Sequence, residues 1–394
     1  MHRRIMIMVV LICMLMFLIT CDKNSEAPTG PPDENYYYVS PGGADTNNGA
    51  ESTPWRTIQH GINSIEPGQT LIITDGSYNE AVIINKSGTE SKAIIIKSIN
   101  RNATITGKNL SKTQGITLQN GVSSVRIEGL IIKEFKSWGM YLAGNNNNIE
   151  LAFLKIEHCQ DSAIRIDSGT HLKLSDSVME HNRGAGLDCI ACDDIQVIQN
   201  SALQNTGDDW MDGFAFERES RNILVQNSTA DGNSGDGIDS KGDNTRVVGC
   251  TARNCTREGI KLWGKNSSIE SCLSENNGRA GVVLKDGGDY SVEKNIIRNN
   301  GFSGNDYAMY AAYDNEAPTK VRMSYNTIYN NYGAVHFGKV VSIESEDYDN
   351  FYNRQDCEIY WGKTSRECYT RTDLNNKTWF NETGFGQHTT STPP

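Results

Sequence analysis

Short apolar segments recur along the chain, and each of them begins at a glycine or an alanine. They read GMYLAG from Gly139, AIRIDS from Ala163, GLDCIA from Gly186, GFAFER from Gly213, GIDSKG from Gly237, GIKLWG from Gly259 and GVVLKD from Gly281. Successive segments start 24, 23, 27, 24, 22 and 22 residues apart. Apolar residues alternate with variable ones within a segment, as in a half-buried strand. The nearly constant step indicates stacked repeats in which like positions lie above one another.

Two further strands are predicted in each repeat. One precedes each glycine segment, for example at 195–198, 223–226 and 245–248, and a shorter one is bounded by turns, as at 228–230 and 251–253. Three short strands per repeat predict an all-β parallel β-helix, whereas a leucine-rich repeat would need a fixed leucine pattern and a helix. Asparagines near the predicted coil corners are expected to stack in a ladder: Asn182, Asn205, Asn233, Asn254 and Asn276.

The chain outside these repeats predicts a cap at each end of the stack. Residues 36–80 read as a strand, a loop rich in glycine and asparagine, and an amphipathic helix around Trp55–Ile65. Such a helix would cover the open end of the stack, where unpaired strand edges invite aggregation. The pattern resembles the start of many secreted right-handed β-helix proteins, including polysaccharide lyases. Residues 340–394 are irregular and aromatic and are expected to cap the last coil.

The first residues have the pattern of a targeting segment. Residues 2–4 are basic, and residues 5–18 form an apolar run that is short for a membrane span. The run ends in Leu-Ile-Thr-Cys at Cys21, which resembles a bacterial lipobox whose cysteine carries the lipid. We therefore expect a lipoprotein of the bacterial cell envelope, at the outer membrane or cell surface, whose membrane contact is the lipid on Cys21. The predicted organisation is a signal peptide, a flexible tether and a single β-helix domain, at residues 1–20, 21–35 and 36–394.

The remaining cysteines fit a β-helix in an exported protein. Cys250 and Cys272 are one repeat apart and are expected to stack as small buried hydrophobic residues. Cys357 and Cys368 are close in sequence near the C-terminus and could form a disulfide in an exported protein, but the sequence leaves this pairing open. The CxxC spacing at 189–192 has no second pair and no βαβ context, so it gives little support to a redox or zinc site.

Composition narrows the class of partner. The hydrophobic share of 37% and the charged share of 22% are those of a globular protein. The net charge of −11 argues against a nucleic-acid partner, because such proteins usually present a basic face. An acidic polymer is still compatible with this charge, since a bound cation can reverse the local field.

Alignment of the repeats on their glycines gathers acidic residues into one patch. Asp212, Asp236 and Glu258 directly precede a glycine, while Asp239 and Lys261 lie two residues after one. Coils about 4.8 Å apart would bring these side chains together. Asp-Gly is also a common turn signal, but acids in register on consecutive coils repel one another and favour a metal or catalytic site. Ca²⁺, a hard cation that prefers oxygen ligands, is the simplest partner for the four acids.

Further side chains near this patch are candidates for binding substrate. The longest repeat adds residues at 207–211, and inserted loops on a regular scaffold often carry function. Trp210 in that loop and Trp263 on a later coil are placed to stack on sugar rings. Arg218 is a candidate for pairing with a sugar carboxylate. Lys261 lies on the edge of the patch, and Lys241, two positions further along its coil, is a less well placed candidate.

At these residues the sequence resembles polysaccharide lyase family 9, the β-helical pectate lyases. Residues 212–215 (DGFA) match one motif of that family, and residues 233–239 (NSGDGID) match a second one a coil later. Gly235 replaces one of the family's calcium-binding aspartates, and Ile238 replaces a tryptophan. The resemblance implies Ca²⁺ on the aspartates and a lysine base, for which Lys261 is chosen by its place on the next coil.

The resemblance further implies β-elimination on a polymer of uronic acids. A neutral lysine would remove the C5 proton of a uronate, and the O4 glycosidic bond would then break. The pKa of the lysine must fall towards the working pH, and neighbouring carboxylates would oppose that fall unless bound Ca²⁺ offsets them. We expect a monomer whose partner is an acidic polysaccharide.

Other functions fit the same scaffold. A C5-epimerase would abstract the same proton but would need a second acid or base on the opposite face of the sugar. A hydrolase of the polygalacturonase type would pair carboxylates across a water molecule. A non-catalytic glycan-binding protein would use the aromatic side chains and would need no lysine base. Fold alone does not decide between them.

Overall fold

A computed structural model describes residues 35–111, 113–207, 210–302, 306–312, 317–364 and 368–394. The predicted signal peptide, Cys21 and most of the predicted tether lie outside these ranges. No helix among the described residues has both the length and the apolar character that a membrane crossing requires.

The described chain winds into a solenoid whose strands form three sheets, parallel throughout except for the last two strands of one sheet, which pair antiparallel. Sheet 1 has thirteen strands: β1 (Tyr36–Val39), β2 (Thr70–Ile73), β5 (Ile94–Lys97), β8 (Ser123–Glu128), β11 (Asn146–Ala152), β14 (Gly169–Ser175), β17 (Cys192–Ile198), β20 (Arg221–Gln226), β23 (Asp243–Val248), β26 (Ser267–Glu270), β29 (Asp289–Glu293), β32 (Thr319–Ser324) and β35 (Val341–Asp347). Each strand pairs in parallel with the strand one coil away, so the predicted all-β parallel β-helix is confirmed.

Sheets 2 and 3 complete each coil. Sheet 2 contains β4 (Val82–Ile84), β7 (Ile116–Leu118), β10 (Met140–Leu142), β13 (Ile164–Ile166), β16 (Leu187–Cys189), β19 (Phe214–Phe216), β22 (Ile238–Ser240), β25 (Ile260–Leu262), β28 (Val282–Leu284), β31 (Met309–Ala311), β34 (Val335–Phe337), β37 (Cys357–Trp361) and β38 (Tyr369–Thr370). Sheet 3 contains β3 (Gly76–Tyr78), β6 (Ala103–Thr106), β9 (Leu130–Lys133), β12 (Lys155–Glu157), β15 (Val178–Glu180), β18 (Ser201–Leu203), β21 (Thr229–Asp231), β24 (Thr251–Arg253), β27 (Leu273–Glu275), β30 (Ile296–Arg298), β33 (Thr327–Tyr329) and β36 (Asn350–Tyr352). The seven repeated segments of the sequence, from Gly139 to Gly281, contain the three-residue strands of sheet 2 from β10 to β28.

The N-terminal cap is the predicted helix with a later start. Helix α1 spans Ile58–Ser64, and the hydroxyl of Thr57 accepts a hydrogen bond from the His60 N–H at its first turn. Ile58 and Ile62 are buried against the core. The helix begins three residues after the predicted position, because Trp55 forms a β-bridge with Val39 instead of a helical turn.

The C-terminal region is more regular than predicted. Strands β35, β36 and β37 continue the coils through the segment 340–361, which the sequence indicated as irregular. The cap itself is formed by α2 (Arg371–Asn375) and α3 (Thr378–Thr383), with Trp379 buried in the core. Cys357 and Cys368 form a disulfide, the pairing that the sequence left open.

Polar ladders run through the solenoid at two corners, but the asparagine ladder differs from the predicted one. Its members include Asn182, Asn205, Asn233, Cys255, Asn277, Asn300, Asn331 and Asn353. The prediction that Asn254 and Asn276 belong to this ladder is wrong. Both side chains are exposed at left-handed backbone positions, with φ of 53° and 56°, and the ladder uses the next residue in each coil. Cys250 and Cys272 stack in the second ladder as predicted, where the Cys250 N–H lies 3.3 Å from Cys272 Sγ.

Candidate active site

The outward positions of sheet 2 form one continuous column. Ala215 pairs with Asp239, Asp239 with Lys261, and Lys261 with Val283 on four successive coils. The residue that precedes the outward position is buried in each of six successive strands of sheet 2: Ile164, Leu187, Phe214, Ile238, Ile260 and Val282. The register predicted from the glycines is therefore confirmed.

A second column precedes the strands and contributes the other acids. The N–H groups of Gly186, Gly213 and Gly237 donate to the backbone carbonyls of Asp212, Asp236 and Glu258, each one coil further on. These three acids thus occupy equivalent positions at the same corner of the solenoid. The corner lies beside the column that carries Asp239 and Lys261.

Three carboxylates meet where the columns adjoin. One oxygen from each of Asp212, Asp236 and Asp239 lies within 4.8 Å of the other two. Asp236 is 2% exposed and Asp239 is 5% exposed. Asp212 Oδ1 accepts a hydrogen bond of 2.6 Å from the Asp236 N–H, whereas the buried Asp239 Oδ1 has no hydrogen-bond partner in the described part of the chain. We call these three residues the carboxylate triad.

Lys261 is buried against the triad, although it extends from the outer wall of the solenoid. Its ammonium group forms ion pairs with Asp236 and with Asp239, where the distance from Nζ to Oδ2 of Asp239 is 3.1 Å. The side chain is 7% exposed as a residue. Burial alone would lower the pKa of Lys261, but the charges of the two aspartates outweigh it and raise that pKa above its ordinary value. Lys261 therefore carries a proton in this arrangement.

The triad members differ in their acidity. Burial, followed by the charges of Asp236 and Asp239, raises the pKa of Asp212 well above its ordinary value. Burial also raises the pKa of Asp239 to about 6, even though Lys261 opposes this shift. Burial acts in the same direction on Asp236, but hydrogen bonds from Glu258 and the charge of Lys261 outweigh it and lower the pKa of Asp236. Asp236 is thus the ionised partner of the lysine.

Glu258, predicted as a fourth ligand, lies beside the triad but is not among its members. Its backbone N–H donates to Asp236 Oδ1 at 3.0 Å. Its carboxylate faces two arginines, at 3.4 Å from Arg257 Nε and 3.9 Å from Arg279 Nη1. Burial and the charge of Asp236 raise the pKa of Glu258 to about 7. Its carboxyl group is therefore shared between Asp236, with which it forms a hydrogen bond, and the two arginines.

Gly235 stands where the resembled family has a calcium-binding aspartate, and the packing leaves no room for a side chain there. A Cβ atom at this position would lie 2.3 Å from Asp212 Oδ1 and 2.8 Å from the backbone of Met211. Asp212 thus occupies the space that an aspartate at 235 would need.

The predicted substrate-binding residues surround the triad, but two of them are engaged in ion pairs. Arg218 Nη2 lies 3.1 Å from Asp286 Oδ2. Lys241 Nζ lies 2.6 Å from Glu217 Oε1 and 3.8 Å from Asp239 Oδ2. Both cations are therefore held at the edge of the site by acids on other coils.

The two predicted tryptophans lie on opposite flanks of the site. Trp210 is 67% exposed, and the guanidinium of Arg257 lies 3.7 Å from the centre of its ring. The ring of Trp263 has Lys261 Nζ at 5.5 Å and Lys285 Nζ at 4.9 Å. The buried Nε1 of Trp263 has no acceptor among the residues that the structure describes. Residues 208 and 209 of the predicted inserted loop fall outside those residues.

Arg257 and Arg279 are site residues that the sequence reasoning missed. Arg257 Nε is 3.6 Å from Asp236 Oδ1, and its side chain is 12% exposed. The N–H of Arg279 donates to the carbonyl of Arg257, so the two arginines occupy equivalent positions on adjacent coils. Each lies two residues before a glycine segment. An alignment of the residues two positions before each glycine would have placed both arginines beside the acids.

A parallel β-helix with buried carboxylates and a lysine on its outer wall belongs to the class of β-helical proteins that includes carbohydrate-active enzymes. A family model described as Pel9A-like, right handed beta helix region, matches residues 37–350. The chain therefore belongs to the Pel9A-like right-handed β-helix family, and the predicted resemblance to this family is confirmed.

Curated relatives match part of the chain. The uncharacterized protein YwoF of Bacillus subtilis (strain 168) is 29% identical over 159 residues, which are 38% of this chain and 33% of that protein. Pectate lyase L of Dickeya chrysanthemi is 21% identical over 165 residues, which are 39% of this chain and 38% of that enzyme. The match thus spans less than two fifths of the length of these relatives.

Solved structures share the fold at low sequence identity. A mannuronic acid specific polysaccharide family 6 lyase from human gut microbiota aligns with a TM-score of 0.60 and 13% identity, over 91% of this chain and 92% of that one. The A-module of the Azotobacter vinelandii mannuronan C-5 epimerase AlgE6 aligns with a TM-score of 0.56 and 15% identity, over 86% of this chain and 94% of that one. Lyases and an epimerase share this scaffold, so the reaction must be argued from the site.

Proposed function

We propose that this protein is a polysaccharide lyase that cleaves a uronate-containing polymer by β-elimination, with Lys261 as the base. The observation that carries the proposal is the contact between a buried lysine and the carboxylate triad on the outer wall of sheet 2. A lysine that is buried against three acids on the outer wall of a solenoid is a candidate functional residue, because such groups cluster at active sites. Membership in the Pel9A-like family and the similarity to pectate lyase L support the same reaction class.

The triad suits Ca²⁺ as its cofactor. Asp212, Asp236 and Asp239 offer oxygen ligands, which Ca²⁺ prefers. Asp239 Oδ1 is buried without a donor in the described residues, and a cation would supply the missing partner. When bound, Ca²⁺ would neutralise the uronate carboxylate and stabilise the negative charge that develops as C5 loses its proton.

Lys261 performs the proton transfer in the proposed reaction. Its neutral amine accepts the C5 proton, the electrons of the C5–H bond form a C4–C5 double bond, and the C4–O4 bond breaks. The oxygen that leaves takes a proton from solvent. The ion pairs with Asp236 and Asp239 hold the proton on Lys261, so the amine becomes a base only when those carboxylates are engaged by another positive charge.

A substrate panel tests the proposed function. The protein is incubated with polygalacturonate, alginate and glycosaminoglycans in Ca²⁺ or in chelator, and the ultraviolet absorbance of the unsaturated product is followed. We expect turnover on one polymer class in Ca²⁺ and its loss both in chelator and in Lys261→Ala. Lys294→Ala is the matched control, because Lys294 is an exposed lysine that pairs with Glu270 away from sheet 2.

The alternative outcomes would each contradict the proposal in a distinct way. New reducing ends without the absorbance band would indicate hydrolysis. A changed ratio of C5 epimers in an uncut polymer would indicate epimerisation. Retention on a polymer column without any product would indicate a binding protein.

The wider setting of the protein is proposed on the sequence alone. We propose an acidic polysaccharide as the partner of a monomer that is anchored to the bacterial envelope through lipid on Cys21. The basic and apolar residues ahead of Cys21 support this placement. Labelling of the wild type but not of Cys21→Ala by a radioactive fatty acid would test it, and equal labelling of both would contradict it.

A further inference from the structure

A cleft opens on sheet 2 one coil beyond Lys261, towards the C-terminal cap. Its volume is about 240 Å³. Val283, which pairs with Lys261, forms its floor together with Ala280, and Tyr310 pairs with Val283 on the next coil. Tyr307 packs on the same three residues. The cleft is therefore continuous with the column that carries the proposed base.

The floor of the cleft is apolar, in contrast to the two coils before it. Ala280, Val283 and Tyr310 are 6%, 4% and 5% exposed, respectively. They form an apolar cluster separate from the core of the solenoid. The equivalent positions one coil earlier are Glu258 and Lys261. An apolar floor on the outer wall suits the C–H face of a sugar ring, which stacks on apolar and aromatic surfaces.

Two cations flank this floor on opposite sides of strand β28. Arg279 precedes the strand, and 51% of its side chain is exposed. Lys285 follows the strand, with its Nζ 4.9 Å from the centre of the Trp263 ring. A ring that bears a carboxylate could lie on the apolar floor while its carboxylate pairs with the arginine or the lysine.

The acids that line the cleft are already engaged. Glu258 faces Arg257 and Arg279, as described above. Asp306 Oδ2 accepts a hydrogen bond of 2.9 Å from the Phe302 N–H. These contacts leave negative charge on the acids, so a ligand carboxylate would draw on the positive charge of both Arg279 and Lys285.

We propose that this cleft binds one uronate residue of the polymer, adjacent to the residue whose C5 proton Lys261 removes. The sugar ring lies on Val283 and Ala280 against Tyr310, and its carboxylate pairs with Arg279 or Lys285. The volume is below the roughly 300–1,000 Å³ of pockets for drug-sized ligands, as expected for a single sugar unit. The inference rests on the proposed function and adds a direction, because the polymer then runs along the solenoid axis from Lys261 towards the C-terminal cap.

Binding of short uronate oligomers tests the cleft separately from catalysis. The affinities of trigalacturonate and trimannuronate are measured by calorimetry in Ca²⁺, using Lys261→Ala protein so that no turnover occurs. Adding Arg279→Ala and Lys285→Ala together should weaken binding at least tenfold, which corresponds to about 1.4 kcal/mol. The matched control is Lys320→Ala with Arg322→Ala, which removes the same charge from exposed positions of β32 in sheet 1.

A kinetic measurement gives a second readout that does not need Lys261→Ala to fold. In otherwise wild-type protein, Arg279→Ala with Lys285→Ala should raise KM at least tenfold on the polymer that is cleaved, while kcat changes less than threefold. An unchanged KM and affinity in an active enzyme would overturn the cleft assignment and leave the lyase proposal standing. An equal loss in the sheet 1 control would also overturn it, by indicating a general charge effect. If the wild type neither binds nor cleaves any uronate polymer, the proposed function fails and the cleft assignment fails with it.

Discussion

Replacement of Asp349 by asparagine should stabilise the protein at neutral pH. Asp349 is fully buried at the end of a polar ladder, and its Oδ1 accepts hydrogen bonds from the N–H and the side-chain amide of Asn326 at 2.6 and 2.8 Å. Its Oδ2 has no hydrogen-bond partner in the described part of the chain, and the buried Glu346 carboxyl group lies near enough for its charge to act on Asp349. Two buried carboxyl groups that lie this near must share a proton or repel each other.

The sign of the pH effect follows from the direction of the shift. Burial, followed by the charge of Glu346, raises the pKa of Asp349 well above its ordinary value. The native state therefore binds a proton that the unfolded state has lost, and stability falls as the pH rises above the unfolded pKa. Asparagine needs no proton, keeps the oxygen that accepts from Asn326, and offers an N–H to Glu346.

The free-energy cost of protonating Asp349 sets an upper limit on the stability that Asp349→Asn can add. The native state can always avoid the buried charge by protonation, which at pH 7 costs about 1.4 kcal/mol for each of the roughly three pH units above an unfolded pKa of about 3.9. We therefore expect Asp349→Asn to raise the free energy of unfolding by up to about 4 kcal/mol at pH 7 and by almost nothing at pH 4.

Urea unfolding between pH 4 and pH 8 measures this difference. Asp347→Asn is the control of opposite sign. Burial raises the pKa of Asp347, but the hydrogen bonds from His388 outweigh it and lower that pKa, so this substitution should cost stability above pH 4. The reasoning is refuted if Asp349→Asn gives no gain at pH 7, or if its gain is the same at pH 4 and pH 7.

Two further substitutions test the packing around the site. Asn205→Ala should lower the free energy of unfolding by about 3 kcal/mol, because it removes a side chain that donates to Asn233 and accepts from Asn182 in the buried ladder. Asn254→Ala, an exposed control outside the ladder, should cost less than about 1 kcal/mol, and equal losses in urea unfolding would contradict the ladder's role. Gly235→Asp should destabilise the protein and fail to tighten Ca²⁺ binding in calorimetry, because its Cβ collides with an oxygen of the triad; a tighter site with unchanged stability would count against the packing explanation.

The register of the site was predictable because a solenoid repeats its backbone. Once the glycine segments are aligned, the positions of Asp212, Asp236, Asp239 and Lys261 follow from the strand spacing, whatever the side chains do. The ladder prediction failed at Asn254 because it relied on residue type, which does not repeat as strictly as the backbone. Asparagine suits both a buried ladder and a left-handed corner, so residue type alone does not decide which of two neighbouring positions enters the stack.

The sequence did not predict which side chains of the site contact each other. The alignment placed Lys261 at the edge of the acidic patch, whereas its contact with Asp236 depends on how a long flexible chain folds over its neighbours. The contact between Arg257 and Glu258 was equally hard to predict. These two residues are adjacent in sequence, and whether their side chains meet depends on the backbone conformation of the corner. The Cys189–Cys192 disulfide also spans a corner, between the end of β16 and the start of β17.

The chemistry next to Lys261 favours elimination over epimerisation. Epimerisation needs a second proton donor that reaches the opposite face of the sugar, while elimination needs one base and a leaving oxygen. The positions that flank the Asp239–Lys261 pair in the outward column are Ala215 and Val283, neither of which can carry a proton. On the adjoining corner Asp236 is paired with Lys261, whereas burial raises the pKa values of Asp212 and Glu258, so that these two acids can hold protons. The proposed elimination therefore needs only Lys261 and a proton from solvent, whereas epimerisation would have to use one of the acids on the adjoining corner as its second group.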